Sequence, residues 1–136
     1  MNNQEIELEK AMGRDVVIYV RFPSSVTDDD VYRMSEVMYE FCDMLGATVS
    51  DHFWEVADDY RSQHKLKKAL KALQSTKYKE LITYDLYSLT PDIRRSLELS
   101  ESVMKDGGFI YYADEESMMM GCQALMNYNS DDDTIN

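Results

Sequence analysis

Apolar residues gather in short blocks along the chain, and these blocks predict four strands. The first block, residues 15–21, is almost continuous in β-branched and aromatic residues, which is typical of a strand buried on both faces. It stops abruptly at Arg21, Pro23 and two serines, Ser24 and Ser25. Three later blocks have the same character and predict strands over residues 48–54, 80–85 and 109–113.

Between the strands, apolar residues recur at intervals of three and four, which predicts helices. The first helix is predicted to begin at Thr27, because a threonine followed by three aspartates caps a helix and suits the positive end of its dipole. Gly46 marks its end. A second helix is predicted from His64 to Leu73, and residues 55–60 before it are predicted to form a loop.

Two further helices complete the pattern. Thr90 and Pro91 predict the opening of the third helix, with the threonine as N-cap and the proline at the first helical position. The fourth is predicted to begin near Glu115 and to bury one apolar face, formed by Met118, Cys122, Leu125 and Met126.

The elements therefore alternate as β-α-β-α-β-α-β-α with short connections. This order predicts an α/β fold, a three-layer sandwich with a mainly parallel sheet of four or five strands. In such a sheet, chemistry collects at the carboxyl ends of the strands, where Arg21 and Ser24 fall. We expect an N-terminal arm (1–14), one α/β domain (15–128) and a disordered acidic tail (129–136).

Charge and composition narrow the choice of partners. The 136 residues include 26 acidic and 14 basic residues, and the net charge of −12 argues against general nucleic-acid binding. The two cysteines have neither CxxC nor metal-site spacing, so we expect reduced thiols in a soluble, cytoplasmic protein. No apolar run is long enough to predict a membrane span, and no motif predicts a metal site or a cofactor.

Positive charge is concentrated in one segment. Residues 64–79 contain six lysines and no acidic residue, and the lysines of the second helix fall opposite its apolar stripe. Two interpretations stay open: a solvated helix face, or a surface that contacts phosphate or an acidic partner. Any DNA contact is expected only through residues 65–79, and the candidate contact residues are Lys65, Lys67, Lys68 and Lys71.

The succession of these segments resembles the catalytic domain of the serine recombinases (resolvases and invertases). In that family the first strand ends in Tyr-x-Arg-x-Ser, whose serine attacks a DNA phosphate, and here Tyr19-Val20-Arg21 is followed by serines. The strand that ends near Glu55 resembles the family's approach to a Glu-x-x-Ser-Gly loop, and residues 84–92 resemble the approach to a Leu-Asp-Arg-Leu-Ser-Arg-Asp motif. The resemblance covers residues 15–128.

Several family positions carry other residues here. Arg21 matches a catalytic arginine, but Pro23 stands at the nucleophile position, so Ser24 serves as nucleophile only if the turn shifts by one residue. The hydroxyl of the Glu-x-x-Ser loop falls on Asp58, and Lys67 is the nearest match to an arginine at the start of the second helix. The aspartate and both arginines of the third motif are replaced by Tyr87, Ser88 and Pro91.

These replacements bear on activity. Phosphoryl transfer to a serine needs several guanidinium groups to hold the phosphate, and a lysine ammonium group does not offer the same two-pronged arrangement of donors. The resemblance therefore implies a catalytically degenerate domain, a pseudoenzyme of mobile-element or phage origin that acts through protein contacts or regulation. The alternative is an active minimal recombinase that carries out DNA strand exchange with Ser24 and Arg21.

Other interpretations stay open beside these. The resemblance implies a homodimer through the last helix, with Met118 to Met120 as candidate contacts, although the triplet also fits one buried turn. Arg21 also fits a structural role, bonding backbone or Glu55. A further interpretation is a different α/β module that binds a nucleotide or small anion, but the sequence contains neither the Gly-rich phosphate loop nor the Walker-type lysine that such modules usually carry.

Overall fold

Four parallel strands form the centre of the computed structural model, which describes residues 14–135 and the side chains of residues 14–126. They lie in the order β2-β1-β3-β4, where β1 is Asp15–Phe22, β2 is Thr48–Val56, β3 is Glu80–Thr83 and β4 is Phe109–Tyr112. The helices in this range are α1 (Asp28–Met44), α2 (His64–Leu73), the single turn α3 (Leu86–Leu89), α4 (Ile93–Lys105) and α5 (Glu115–Ile135). A 3-10 turn, Tyr60–Ser62, precedes α2.

Helices pack on both faces of the sheet, and the predicted three-layer α/β sandwich is confirmed. Successive strand residues point to opposite faces of the sheet, and helices cover both faces, so every residue of β1 from Val16 to Phe22 is buried. One face carries Val16, Ile18, Val20 and Phe22 and packs against Met38 and Cys42 of α1. The opposite face carries Val17 and Tyr19 and packs against residues of α2, α3, α4 and α5.

Helix α1 begins and ends as predicted. Thr27 Oγ1 accepts a hydrogen bond from Asp30 N (3.2 Å), and Asp30 Oδ2 accepts one from Thr27 N (3.1 Å), which makes a capping box. Hydrogen bonds from the Thr27 backbone and hydroxyl to the Asp30 carboxylate lower the pKa of Asp30. At the other end Gly46 adopts φ +67°, and Ala47 N donates to Cys42 O (3.0 Å), so the chain turns out of the helix through a glycine.

The loop between β3 and the following helix was predicted wrongly. Thr90 is not the N-cap of the helix; its hydroxyl donates to Asp92 O (2.7 Å) and pairs with the Ser96 hydroxyl (2.9 Å). Asp92 caps α4 instead, accepting from Arg94 N (3.0 Å). The turn α3, which the sequence did not predict, is capped by Asp85, whose carboxylate accepts from Ser88 N (2.7 Å).

Two other boundaries differ from expectation. Strand β2 includes Glu55 and Val56, which were predicted to lie in a loop, because both pair with β1. Helix α5 extends to Ile135 and so overlaps the segment 129–136 for which a disordered tail was predicted. The predicted N-terminal arm lies outside the described residues, apart from Arg14.

Helix α5 also buries a different set of residues than its apolar pattern predicted. Leu125 is buried and Met118 and Cys122 are half-buried, whereas Met126 is 67% exposed. The buried face of α5 includes two small residues, Ser117 and Gly121, instead of Met126. A Cβ on Gly121 would lie 3.3 Å from the Tyr112 ring. In the described range, no helix is both long and apolar enough to cross a membrane.

A close backbone approach joins the amino ends of β3 and β4. Phe109 N donates to Lys79 O (3.0 Å), and a Cβ added to Gly108 would lie only 2.3 Å from the same oxygen. Lys79 itself adopts φ +53°, a conformation that residues with a Cβ rarely take. Only glycine fits at position 108 without moving this junction.

Candidate functional site

Arg21 lies at the carboxyl edge of the sheet, where its guanidinium group is bound by backbone oxygens. Its Nε and Nη2 donate to Tyr87 O (2.9 and 2.6 Å), and its Nη1 donates to Ala57 O (2.8 Å). The residue is only 9% exposed. The side chain thus ties β1 to the loop after β2 and to the turn α3.

Ser24 faces a carboxylate at the same edge. Its backbone N–H donates to Asp58 Oδ1 (2.9 Å). Hydrogen bonds from the Ser24 backbone and hydroxyl lower the pKa of Asp58, and the positive charge of Arg21 acts in the same direction. Asp58 therefore stays ionised at neutral pH, and its negative charge opposes the approach of a phosphate to Ser24.

The remaining family positions are occupied by structural contacts. Tyr87 offers its backbone oxygen to Arg21 while its ring is 53% exposed. The Ser88 hydroxyl donates to Asp85 Oδ1 (2.8 Å) within α3. Pro91 is half-buried in the link from α3 to α4. The structure thus brings Arg21, Ser24, Asp58 and Tyr87 together. The groups that bond the Arg21 guanidinium are two backbone carbonyl oxygens, Tyr87 O and Ala57 O.

An open groove of about 450 Å³ runs beside the serines. Pro23 and Ser25 form one wall of it, and Arg33 of α1 lies at its rim. The remaining lining is mainly apolar and consists of Phe22, Val26, Met34, Val37 and Tyr84, with Asp30. Ser25 therefore lines a mainly apolar groove that also includes one arginine and one aspartate.

A buried polar network below Arg21 was not predicted from the sequence. Tyr19 Oη donates to Glu55 Oε2 (2.6 Å) and accepts from Gln63 Nε2 (2.8 Å). Glu55 also accepts from the backbone N–H groups of Lys65 and Leu66 (2.8 and 3.3 Å) at the start of α2. Burial, followed by the bond to Glu55, raises the pKa of Tyr19, so the phenol keeps its proton. Glu55 in this way fills the anion-binding end of the helix.

The candidate lysines do not converge on Ser24. Lys65 Nζ donates to Trp54 O (3.0 Å), whereas the Lys67, Lys68 and Lys71 side chains are exposed along α2. At the far end of the segment, Lys79 Nζ lies 3.7 Å from Asp106 Oδ2. The four lysines of α2 run from Lys65 to Lys71, so they are spread over about 9 Å of helix rather than grouped at one point.

Sequence reasoning also missed two arginines near this edge. Arg61 of the 3-10 turn and Arg95 of α4 line a depression of about 350 Å³ together with Asp59 and Tyr60. The Arg95 guanidinium carbon lies 3.9 Å from the centre of the Tyr60 ring. The two arginines are 34 positions apart, and no spacing in the sequence indicates that they meet.

Comparison with solved structures places this architecture beside serine recombinase catalytic domains. The N-terminal catalytic domain of TP901-1 integrase superposes with a TM-score of 0.65 at 16% identity, over 89% of this chain and 95% of that chain. The C-terminal catalytic domain of ISC1926 TnpA, an IS607-like serine recombinase, superposes with a TM-score of 0.64 at 19% identity, over 78% of this chain and 74% of that chain.

Comparisons of sequence give no such match. No protein-family model matches the chain, and no curated protein matches it significantly. At the identities above, the likeness to the two solved domains shows the fold alone. The resemblance inferred from the order of the segments is thereby confirmed at the level of the fold, a resolvase-like α/β domain.

Proposed function

We propose that this chain is a catalytically inactive domain of the serine recombinase fold that acts through protein contacts in a regulatory role. The observation that carries the proposal is the hydrogen bonding and burial of the Arg21 side chain. Its guanidinium group makes three hydrogen bonds to Tyr87 O and Ala57 O, and the residue is only 9% exposed. Only two of its five N–H donors are left for a phosphate, too few for the clamp that a catalytic arginine provides while it is held in this way.

The neighbourhood of Ser24 supports the same proposal. A phosphate approaching the Ser24 hydroxyl meets the ionised Asp58 instead of a hydroxyl or a guanidinium group. Loss of one electrostatic contact to the transition state typically slows a reaction about a hundredfold or more, and here several are replaced. An origin in a mobile element or phage fits the solved domains that share the fold, an integrase and a TnpA protein.

The proposal includes a cytoplasmic location. Cys42 and Cys122 are both free, and burial raises the pKa of the Cys42 thiol to about 11. Unpaired thiols are typical of proteins in a reducing compartment.

Covalent capture of DNA tests the proposal. A serine recombinase forms an ester between its serine and a DNA phosphate, so we would incubate the chain with plasmid and with a pool of random duplexes and search for a protein–DNA adduct by mass spectrometry. The expected result is no adduct with the wild-type chain, Ser24→Ala or Ser25→Ala. An active serine recombinase supplied with its own recombination site is the positive control.

The alternative function, an active recombinase using Ser24 and Arg21, rests on their meeting at one sheet edge with Ser24 exposed. An adduct that is formed by the wild-type chain and by Ser25→Ala but lost in Ser24→Ala would establish that alternative. Salt-sensitive DNA binding that is weakened in a Lys67→Glu/Lys71→Glu double variant would show that α2 contacts DNA, even without cleavage.

A further inference from the structure

The depression between the 3-10 turn and α4 combines features of an anion site. Two guanidinium groups, from Arg61 and Arg95, and the Tyr60 ring form most of its lining. Its volume of about 350 Å³ falls at the lower end of the range for small-molecule sites. Tyr60 is 41% exposed, so the walls of the depression are open to solvent.

Neither arginine is neutralised by an acidic partner among the described residues. The ion pairs in that range engage Arg14, Lys79, Arg94 and Lys105. The positive charge of both arginines in the depression is available to a ligand.

Asp59 is the acidic residue of the depression, and its carboxylate is already engaged. Its Oδ1 accepts hydrogen bonds from Ser62 N (3.0 Å) and Ser62 Oγ (3.2 Å). Two guanidinium groups and one carboxylate leave a net positive lining. The remaining carboxylate oxygen of Asp59 is able to accept a hydrogen bond from a hydroxyl group of a ligand.

The Tyr60 ring holds the Arg95 guanidinium group in an orientation that suits anion binding. A guanidinium group stacked 3.9 Å from a ring centre is fixed in orientation, while its N–H donors point outward in its own plane. Arg61, which lines the same depression, supplies a second guanidinium group, and each such group is able to bind phosphate oxygens in bidentate geometry. Lysines do not provide this geometry, which distinguishes the depression from the exposed face of α2.

We propose that Tyr60, Arg61 and Arg95 form a binding site for the phosphate group of a small, hydroxyl-bearing phosphate monoester, such as a sugar phosphate or a mononucleotide. A small ligand is favoured over a nucleic acid because the net charge of −12 repels a polyanion much more strongly than a dianion. Binding at this site requires no reaction at Ser24, so an inactive domain is able to carry it.

Isothermal titration of the full chain at low salt tests the site, with inorganic phosphate and adenosine monophosphate as probes. We expect saturable binding of both, tighter for the nucleotide. Arg61→Ala and Arg95→Ala should each weaken binding about tenfold or more, because each removes a charged bidentate contact. Arg95→Lys, which keeps the charge, should weaken binding as well because the fork and the stack are lost.

Arg94→Ala is the matched control. It removes the same charge one residue away, from a side chain that is 88% exposed and lies 3.5 Å from Glu98, and it should leave affinity within twofold of wild type. Equal weakening by Arg94→Ala would show a general charge effect and overturn the proposal. So would the absence of saturable binding of both probes, or a preference for duplex DNA over the nucleotide that depends on Arg61 and Arg95.

Discussion

At the scale of single residues, Arg21 is the position where a catalytic and a structural role are most clearly separable. An arginine that clamps a phosphate must keep its donors free for that ligand. Here three donors of Arg21 are bonded to backbone oxygens of the loop after β2 and of the turn α3. The side chain therefore contributes to the stability of the carboxyl edge.

Arg21→Lys measures that contribution. A lysine keeps the charge but cannot reach Tyr87 O and Ala57 O at once, which leaves buried carbonyl oxygens unsatisfied. We expect the free energy of unfolding, from urea denaturation, to fall by about 1–3 kcal/mol. Arg33→Lys, at an exposed position on α1, is the control and should change it by less than about 0.5 kcal/mol. Equal stability of the two variants would contradict the structural role.

The sequence was sufficient to place Arg21, Ser24 and Asp58 at one edge, because parallel strands end on the same side of a sheet. It was not sufficient to show what each side chain binds. The acceptor of the Arg21 guanidinium group is a backbone oxygen 66 residues away, and a carbonyl oxygen carries no sequence signal. The stack of Arg95 on Tyr60 was not predicted for a similar reason, since it depends on how α4 approaches the 3-10 turn.

At the scale of elements, local chemistry predicted the start and end of α1, but it predicted neither the turn α3 nor the residue that caps α4. The capping box of Thr27 uses residues within one turn, so it is readable from the sequence. Thr90 has the same local signals, yet its hydroxyl bonds Ser96 across the loop and Asp92 becomes the cap. Hydrogen bonds within the link from α3 to α4 and to Ser96 of α4 decide between two capping residues that are this close in sequence.

The junction of β3 and β4 gives a graded prediction at this scale. Gly108→Ala would put a Cβ 2.3 Å from Lys79 O and must displace the backbone, so we expect a loss of more than about 2 kcal/mol of unfolding free energy. Gly46→Ala adds a Cβ where nothing lies within 4 Å, and only its φ of +67° is unfavourable. It should cost about 1–2 kcal/mol. Thermal or urea unfolding of both variants checks the order, and a Gly108→Ala protein as stable as Gly46→Ala would contradict the close approach.

At the scale of the whole molecule, α5 carries an exposed apolar stripe that the described residues do not cover. Met119 is 72% exposed and Met126 is 67% exposed, and residues seven positions apart lie on one side of a helix. Exposed apolar stripes of this kind mark association surfaces. We therefore expect the chain to self-associate through α5.

Light scattering after size-exclusion chromatography measures this association. The wild-type chain should show a mass that rises with concentration toward a dimer, and a Met119→Glu/Met126→Glu double variant should remain monomeric. Met44→Glu, at a methionine that is 83% exposed at the end of α1, is the matched control and should associate like wild type. A wild-type chain that is monomeric at every concentration would show that the stripe has another use.

The two helical layers contain different numbers of helices among the described residues, and this difference has a consequence for partial unfolding. In the described part of the chain, α1 is the helix that packs on Val16, Ile18, Val20 and Phe22, whereas four helices share the opposite face. Detachment of α1 alone would expose an apolar strand face while the rest of the core stays packed. Such an intermediate would expose the backbone of α1 to proteases, so we expect the resistance of the chain to proteolysis to depend on how firmly this one helix is held.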